Sequence, residues 1–318
     1  MSRLVVRDGR LRGWVAWALI VTLAVAAASA LALGRYPVAP ADLVSALLSR
    51  VGGEPISAQL DAVVFGLRVP RTLLAIIVGA GLATAGAAFQ SLFSNPLATP
   101  DTLGVTAGAS VGAVVAMLLS LPIMGVQLVS LVFGIVSVGL TMAIARQRGR
   151  SSIVMLVLAG VVVAAIASAV LSMLKLVADP NDKLPQITYW LMGSLAAANL
   201  ETIALGAPLI LAGIVAVFVV RWRLNILALG EDEARASGTN VRVIRVVVVV
   251  AATLITASSV SMCGQVGWVG LLIPHIARMI CGSNNRLVVP MSIGLGATFL
   301  VMIDVLARTI TASEIPIS

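Results

Sequence analysis

The chain has a single histidine, and few groups that could serve as acid, base or nucleophile lie near it in sequence. His275 stands in "LLIPHIAR", and a Ser/His dyad would have to recruit a serine such as Ser110 from a distant glycine-rich stretch, which nothing in the spacing does. Two imidazoles one helical turn apart, the H-E-x-x-H that holds catalytic zinc, are absent. So is G-x-x-x-x-G-K-[ST], the backbone cradle and lysine that grip nucleotide phosphates. Cys263 and Cys281 lie in apolar runs without ligand spacing and read as small buried residues. No metal site and no cofactor bound by this chain are therefore expected. His275 follows Pro274, whose missing N–H frees a backbone carbonyl for a neighbouring side chain, so a structural or hinge histidine is the better reading. Between Ala62 and Ala178 the one acid is Asp101, so no chain of intramembrane carboxylates of the sort used by proton-coupled carriers is visible. The residues point away from covalent chemistry, with an ion-coupled carrier kept as the alternative class of transporter. If ATP drives transport, a partner subunit hydrolyses it.

The elements that carry these residues are membrane helices. Sixty per cent of the residues are hydrophobic, 11% are charged and the mean hydropathy is +1.09, outside the range of soluble domains. Apolar runs of about 20 residues recur, the length a helix needs to cross about 30 Å of hydrocarbon. Runs such as "VVVVVAATLITA" are continuously apolar, which excludes a β-barrel's alternation. Nine spans are expected, near residues 14–34, 70–93, 101–120, 126–145, 151–174, 200–220, 243–262, 266–282 and 287–306, in one domain over 1–318. The first follows Arg3, Arg7, Arg10 and Arg12 and reads as an uncleaved helix rather than a signal peptide.

With a cytoplasmic amino terminus, 14 basic residues face the cytoplasm and seven face out, in accord with the positive-inside rule. The outer exceptions include Arg68, Arg71 and Arg308. The first two flank Pro70 at the mouth of a span, where snorkelling to lipid phosphates is the alternative to a specific role. Gly104, Gly108 and Gly112 share one helix face, as do Gly79, Ala83 and Ala87, with Gln90 as a polar group near the inner end. Such faces let helices approach closely. The inner connection at about 221–245 holds a segment bracketed by Gly230 and Gly238, with Glu231, Asp232 and Glu233 in its first turn and Arg235 near its end, charges that suit a helix dipole. About two turns of helix are marginal alone in water, so this one is expected to rest on a partner.

Six stretches, in order, resemble motifs of the FecCD family, the permease subunits of ABC importers for iron-siderophores, haem and cobalamin. They are "LRVPRTL" (67–73), "NPLATPDTLG" (95–104), "WLMGS" (190–194), "LNILALGEDEA" (224–234), "VGLLIPHIAR" (269–278) and "DVLAR" (304–308). Ser94, Thr99 and Ser237 depart from the residues common there. The resemblance implies an all-α polytopic bundle of ten helices, paired with a second permease copy as a homodimer in the bacterial cytoplasmic membrane. It also implies two cytoplasmic ATPases that use ATP and Mg, an extracytoplasmic binding protein, and a metal-chelate cargo: ferric siderophore first, haem second, cobalamin third. No nucleic-acid partner is implied. Family members run on after the "EIP" at 314–316 through a tenth span, so the chain is expected to be incomplete there. By the same resemblance Arg68, Arg71 and Arg308 meet glutamates of the binding protein. Leu229, Gly230, Glu231, Asp232, Glu233, Ala234, Arg235 and Gly238 form a coupling helix docked on the ATPase. Asn95, Pro96, Pro274 and His275 belong to structural motifs.

Overall fold

The computed structural model describes residues 6–7, 10–34, 36–146, 153–227, 234, 236, 240–310 and 314–317. Apart from a two-residue antiparallel pair, Val6–Arg7 with Arg10–Leu11, its ordered elements among those residues are helices. They are α1 Gly13–Ala32, α2 Pro40–Ser49, α3 Ala58–Leu92, α4 Val105–Leu118, α5 Ile123–Ala145, α6 Ile153–Val177, α7 Lys183–Leu191, α8 Leu200–Val220, α9 Leu224–Leu227, α10 Val241–Cys263, α11 Val269–Cys281 and α12 Asn285–Thr309. The all-α membrane bundle expected from the apolar runs is thus borne out. Seven of the described helices are long and apolar enough to cross a membrane: α1, α3, α5, α6, α8, α10 and α12.

Two expected spans are corrected. The run at 101–120 becomes a 3₁₀ turn, Pro100–Leu103, followed by the 14 residues of α4, and the run at 266–282 becomes the 13 residues of α11. At 1.5 Å per residue these reach about 20 Å, short of a hydrocarbon core of about 30 Å. Irregular backbone at membrane depth is tolerated where protein buries it or a wet cavity receives it. Here both breaks end in a positive-φ residue, Gly104 (φ 77°) and Trp268 (φ 65°), each the cap of the short helix that follows.

The core is built around α3, whose apolar window is 78% buried, against 17% for α1 and 22% for α6. It packs on α8, α10, α11 and α12. Glycine permits the closest of these contacts: a Cβ on Gly86 would lie 1.8 Å from the Gly270 carbonyl of α11, and one on Gly79 would lie 2.3 Å from the Gly296 carbonyl of α12. The Gly104–Gly108–Gly112 face likewise takes Ser137 and Phe133 of α5. Both small-residue faces are packing surfaces.

Helix α3 also starts earlier than the sequence suggests. It begins at Ala58, so Pro70 sits in its interior rather than at its first turn. A proline there cannot donate and crowds the carbonyl four residues back. The chain answers with a π-turn over Ala62–Arg68, in which Val69 N–H bonds to Val64 O, five residues back. The extra residue in that turn rotates Arg68 inward, to 5% exposure.

Candidate functional site

Arg68 and Gln90 lie 22 residues apart on α3, about 33 Å along the helix. Polar groups gather at these two ends, and a pair of cavities lies between them.

At the Arg68 end, the helix α1 stops with its last carbonyls lacking intrahelical partners. Arg68 Nη1 donates to Leu31 O at 2.5 Å and Ala32 O at 2.9 Å, and its Nη2 donates to Tyr36 O. Arg308, from α12, donates to Ala30 O. Two guanidinium groups from other helices thus cap α1, placing positive charge where its dipole is negative. Arg71 bonds through Nε to Asp304 Oδ1 at 2.7 Å and through Nη1 to Glu314 Oε1 at 2.8 Å. Asp304 Oδ2 lies 3.3 Å from Arg308 Nε, an ion pair outside hydrogen-bond geometry. The three arginines singled out by the sequence are therefore brought together. Their acidic partners, Asp304 and Glu314, were not foreseen, although both lie inside quoted motifs. Arg68 and Arg308 are buried; Arg71 and Glu314 keep the most access, at 11% and 26% side-chain exposure.

At the Gln90 end, the carbonyl freed by Pro274 is that of Gly270, four residues earlier. Gln90 Nε2 supplies the missing donor, at 3.3 Å from Gly270 O and 3.2 Å from Leu271 O. Gln90 Oε1 accepts from Arg278 Nη1, and Arg278 Nη2 reaches Ser91 Oγ at 3.4 Å. Ser91 Oγ donates to Asn285 Oδ1 at 2.7 Å, and Asn285 N–H donates to Asn225 Oδ1 at 2.7 Å. Asn225 Nδ2 donates to Asn284 Oδ1 at 2.8 Å. Asn95 turns the chain after α3 by accepting from Leu97 N–H at 2.9 Å, with Pro96 exposed beside it. Pro274 is buried and His275 exposed on α11. Ser110 is fully buried and bonded to Thr106 O at 2.8 Å and Gln265 Nε2 at 3.0 Å, so the structure does not pair it with His275. Of the expected coupling helix, Leu229, Gly230, Glu231, Asp232, Glu233, Arg235 and Gly238 lie outside the described residues. Ala234 is helical and buried in the main core, as are Leu224 and Leu227 just before the segment.

Between the ends, the two helix breaks meet. A cavity of about 30 Å³, space for a water or two, is lined by Thr99, Asp101, Thr106, Thr256, Gly264 and Gly270 among others. Thr256 Oγ1 is buried there without a hydrogen-bond partner among the described residues. A second cavity of about 340 Å³ shares Asp101 and Thr106 and adds Ser168, Leu171, Gln265 and Gly267. Its wall mixes the polar groups of Asp101, Thr106, Ser168 and Gln265 with the apolar side chains of Ala107, Leu171 and Val266. In that wall Thr106 Oγ1 donates to Asp101 Oδ1, and the polar groups can solvate a polar cargo.

The model of the FecCD transport family matches residues 20–318. The molybdate import system permease protein MolB of Haemophilus influenzae is 34% identical over 305 residues, 96% of this chain and 90% of that protein. The hemin transport system permease protein HmuU of Yersinia pestis is 34% identical over 257 residues, 79% of this chain and 77% of that protein. A solved structure described as an inward-facing conformation of a metal-chelate type ABC transporter superposes with a TM-score of 0.86 at 33% identity, covering 96% of this chain and 94% of the other.

Proposed function

The chain belongs to the FecCD transport family, as a multi-pass permease of the type II ABC importer class, and from that premise we propose that it carries a metal chelate inward across a bacterial cytoplasmic membrane. A ferric siderophore is the first candidate, haem the second and cobalamin the third. The family implies a permease dimer, ATPase partners and a binding protein; we take the dimer to be of two identical copies. The observation that supports this reading is the cavity at the two helix breaks, where Asp101, Thr106, Ser168 and Gln265 stand among apolar side chains. A bulky cargo that keeps its own metal enclosed needs such solvation and no protein ligand set.

In this reading the amino terminus is cytoplasmic, the Arg68 end faces out and the Gln90 end faces in. ATP binding in the partner subunits biases the bundle between two packings through the segment Leu229 to Gly238. The binding protein seats its acidic groups on the basic cluster at the Arg68 end. Arg71 is the contact through which it does so, because Arg68 and Arg308 are spent on the carbonyls of α1, and the arriving carboxylate competes with Glu314 for the same guanidinium. Uptake by reconstituted complex from a panel of labelled ferric siderophores, haem, cobalamin and molybdate tests the cargo. The reading expects a ferric siderophore to be concentrated; uptake of molybdate alone would refute it.

A further inference from the structure

We infer that Asn225, Asn284 and Asn285 are positioning residues that carry displacement of the 228–239 segment to α11 and to the cavity at its start. The inference rests on the reading that an ATPase seats on that segment. Asn225 lies in α9, the short turn directly before it, with Leu224 and Leu227 buried on either side. Its amide orientation is fixed: the backbone N–H of Asn285 can only donate, so the atom facing it at 2.7 Å is Oδ1, which leaves Nδ2 for Asn284 Oδ1 at 2.8 Å. Asn284 in turn caps α12 by accepting from Arg286 N–H at 3.0 Å. Asn285, 3% exposed, passes the contact to Ser91. From there Arg278 and Gln90 grip α11 near its two ends, Gln90 at Gly270 and Leu271 and Arg278 from the last turn.

Helix α11 carries Pro274 in its interior, and Gln90 holds the Gly270 carbonyl that this proline frees. The helix is 13 residues long, and Gly86 of α3 presses on its Gly270 carbonyl. A shift at Asn225 is passed through Gln90 to the first turn of α11, and Gly270 and Trp268 at its start line the cavity. The amides suit the task because neutral hydrogen bonds are re-formed at small cost, whereas separating buried charges is expensive.

A chain of contacts becomes a coupling route only when both ends respond together, so the test reads the far end directly. In the full complex with ATPase and binding protein, Cys263 and Cys281 are replaced and a reporter is introduced as Val266→Cys beside the cavity. Its labelling rate by a soluble thiol reagent is measured with and without ATP. The parent should show an ATP-dependent change in rate, and Asn225→Ala and Asn284→Ala should each reduce that change at least threefold. The double variant should be no worse than either single one, since both break one route. Asn225→Asp keeps the acceptor for Asn285 N–H and should retain part of the response; it also serves if the alanine variant does not fold. An undiminished ATP-dependent change in Asn225→Ala or Asn225→Asp, with ATPase still bound, overturns the inference. Failure of any ATPase to copurify with the parent chain instead overturns the functional reading on which it rests.

Discussion

The two ends of α3 solve the same problem with different chemistry. At the Arg68 end, helix termini and side chains are held by charge: three arginines, one buried aspartate and one glutamate. At the Gln90 end they are held by amides, one hydroxyl and a single arginine. Buried charges lock a geometry, because removing one partner strands the other in a medium of low dielectric. Amide contacts hold a geometry and can exchange partners at about 1 kcal/mol each. The difference gives rigidity to the first end and adjustability to the second, which under the proposed function suits a docking platform at one and the entry of movement at the other.

Breaking the charged end should have the largest effect. Asp304→Ala takes the buried carboxylate from Arg71 and Arg308, leaving the first only Glu314 and the second only the Ala30 carbonyl among the described residues, and should cost about 3 kcal/mol, read as thermal unfolding in detergent. A loss below about 1 kcal/mol would show that the cluster is solvated and not a lock. At the other end, Gln90→Leu leaves the Gly270 carbonyl and Arg278 without their partner and should cost about 1 to 3 kcal/mol. Uptake should fall further than stability does, if this end serves movement.

How far these ends were legible in the sequence follows from what each contact depends on. That Arg68, Arg71 and Arg308 fall at one end of the bundle can be read from the order of loops and spans alone. That Arg68 and Arg308 cap α1 could not be, since it depends on a π-turn that rotates Arg68 onto carbonyls 36 and 37 residues away. The Gly270 carbonyl was half legible: Pro274 announces that it is free, but its donor, Gln90, is 180 residues distant. Connections near Thr99–Gly104 and Gly264–Trp268 were legible, but the shortness of α4 and α11 was missed, because hydropathy counts apolar side chains and is blind to where the backbone enters and leaves a helix. The membrane bundle itself was plain, since continuous apolar runs admit little else.

Smaller effects sharpen the contrast. Glu314→Gln removes a partly exposed pair and should change stability by about 0 to 1 kcal/mol, while tightening the binding protein's hold on Arg71 at low salt; weaker binding would mean that Glu314 presents Arg71 instead of competing for it. Least of all, Asp61→Asn, which breaks the exposed pair with Arg50 at 2.5 Å, should shift unfolding by no more than about 0.5 kcal/mol. A larger shift would place that pair in the rigid platform too.

The most direct measurement is uptake by proteoliposomes that hold the full chain with its ATPase and binding protein, supplied with labelled ferric siderophore and no ion gradient. The account predicts accumulation that requires ATP inside the cytoplasmic face and stops when the ATPase's nucleotide-binding lysine is replaced. Accumulation driven by a proton or sodium gradient, with ATP and the ATPase absent, would contradict it and make the chain a coupled carrier.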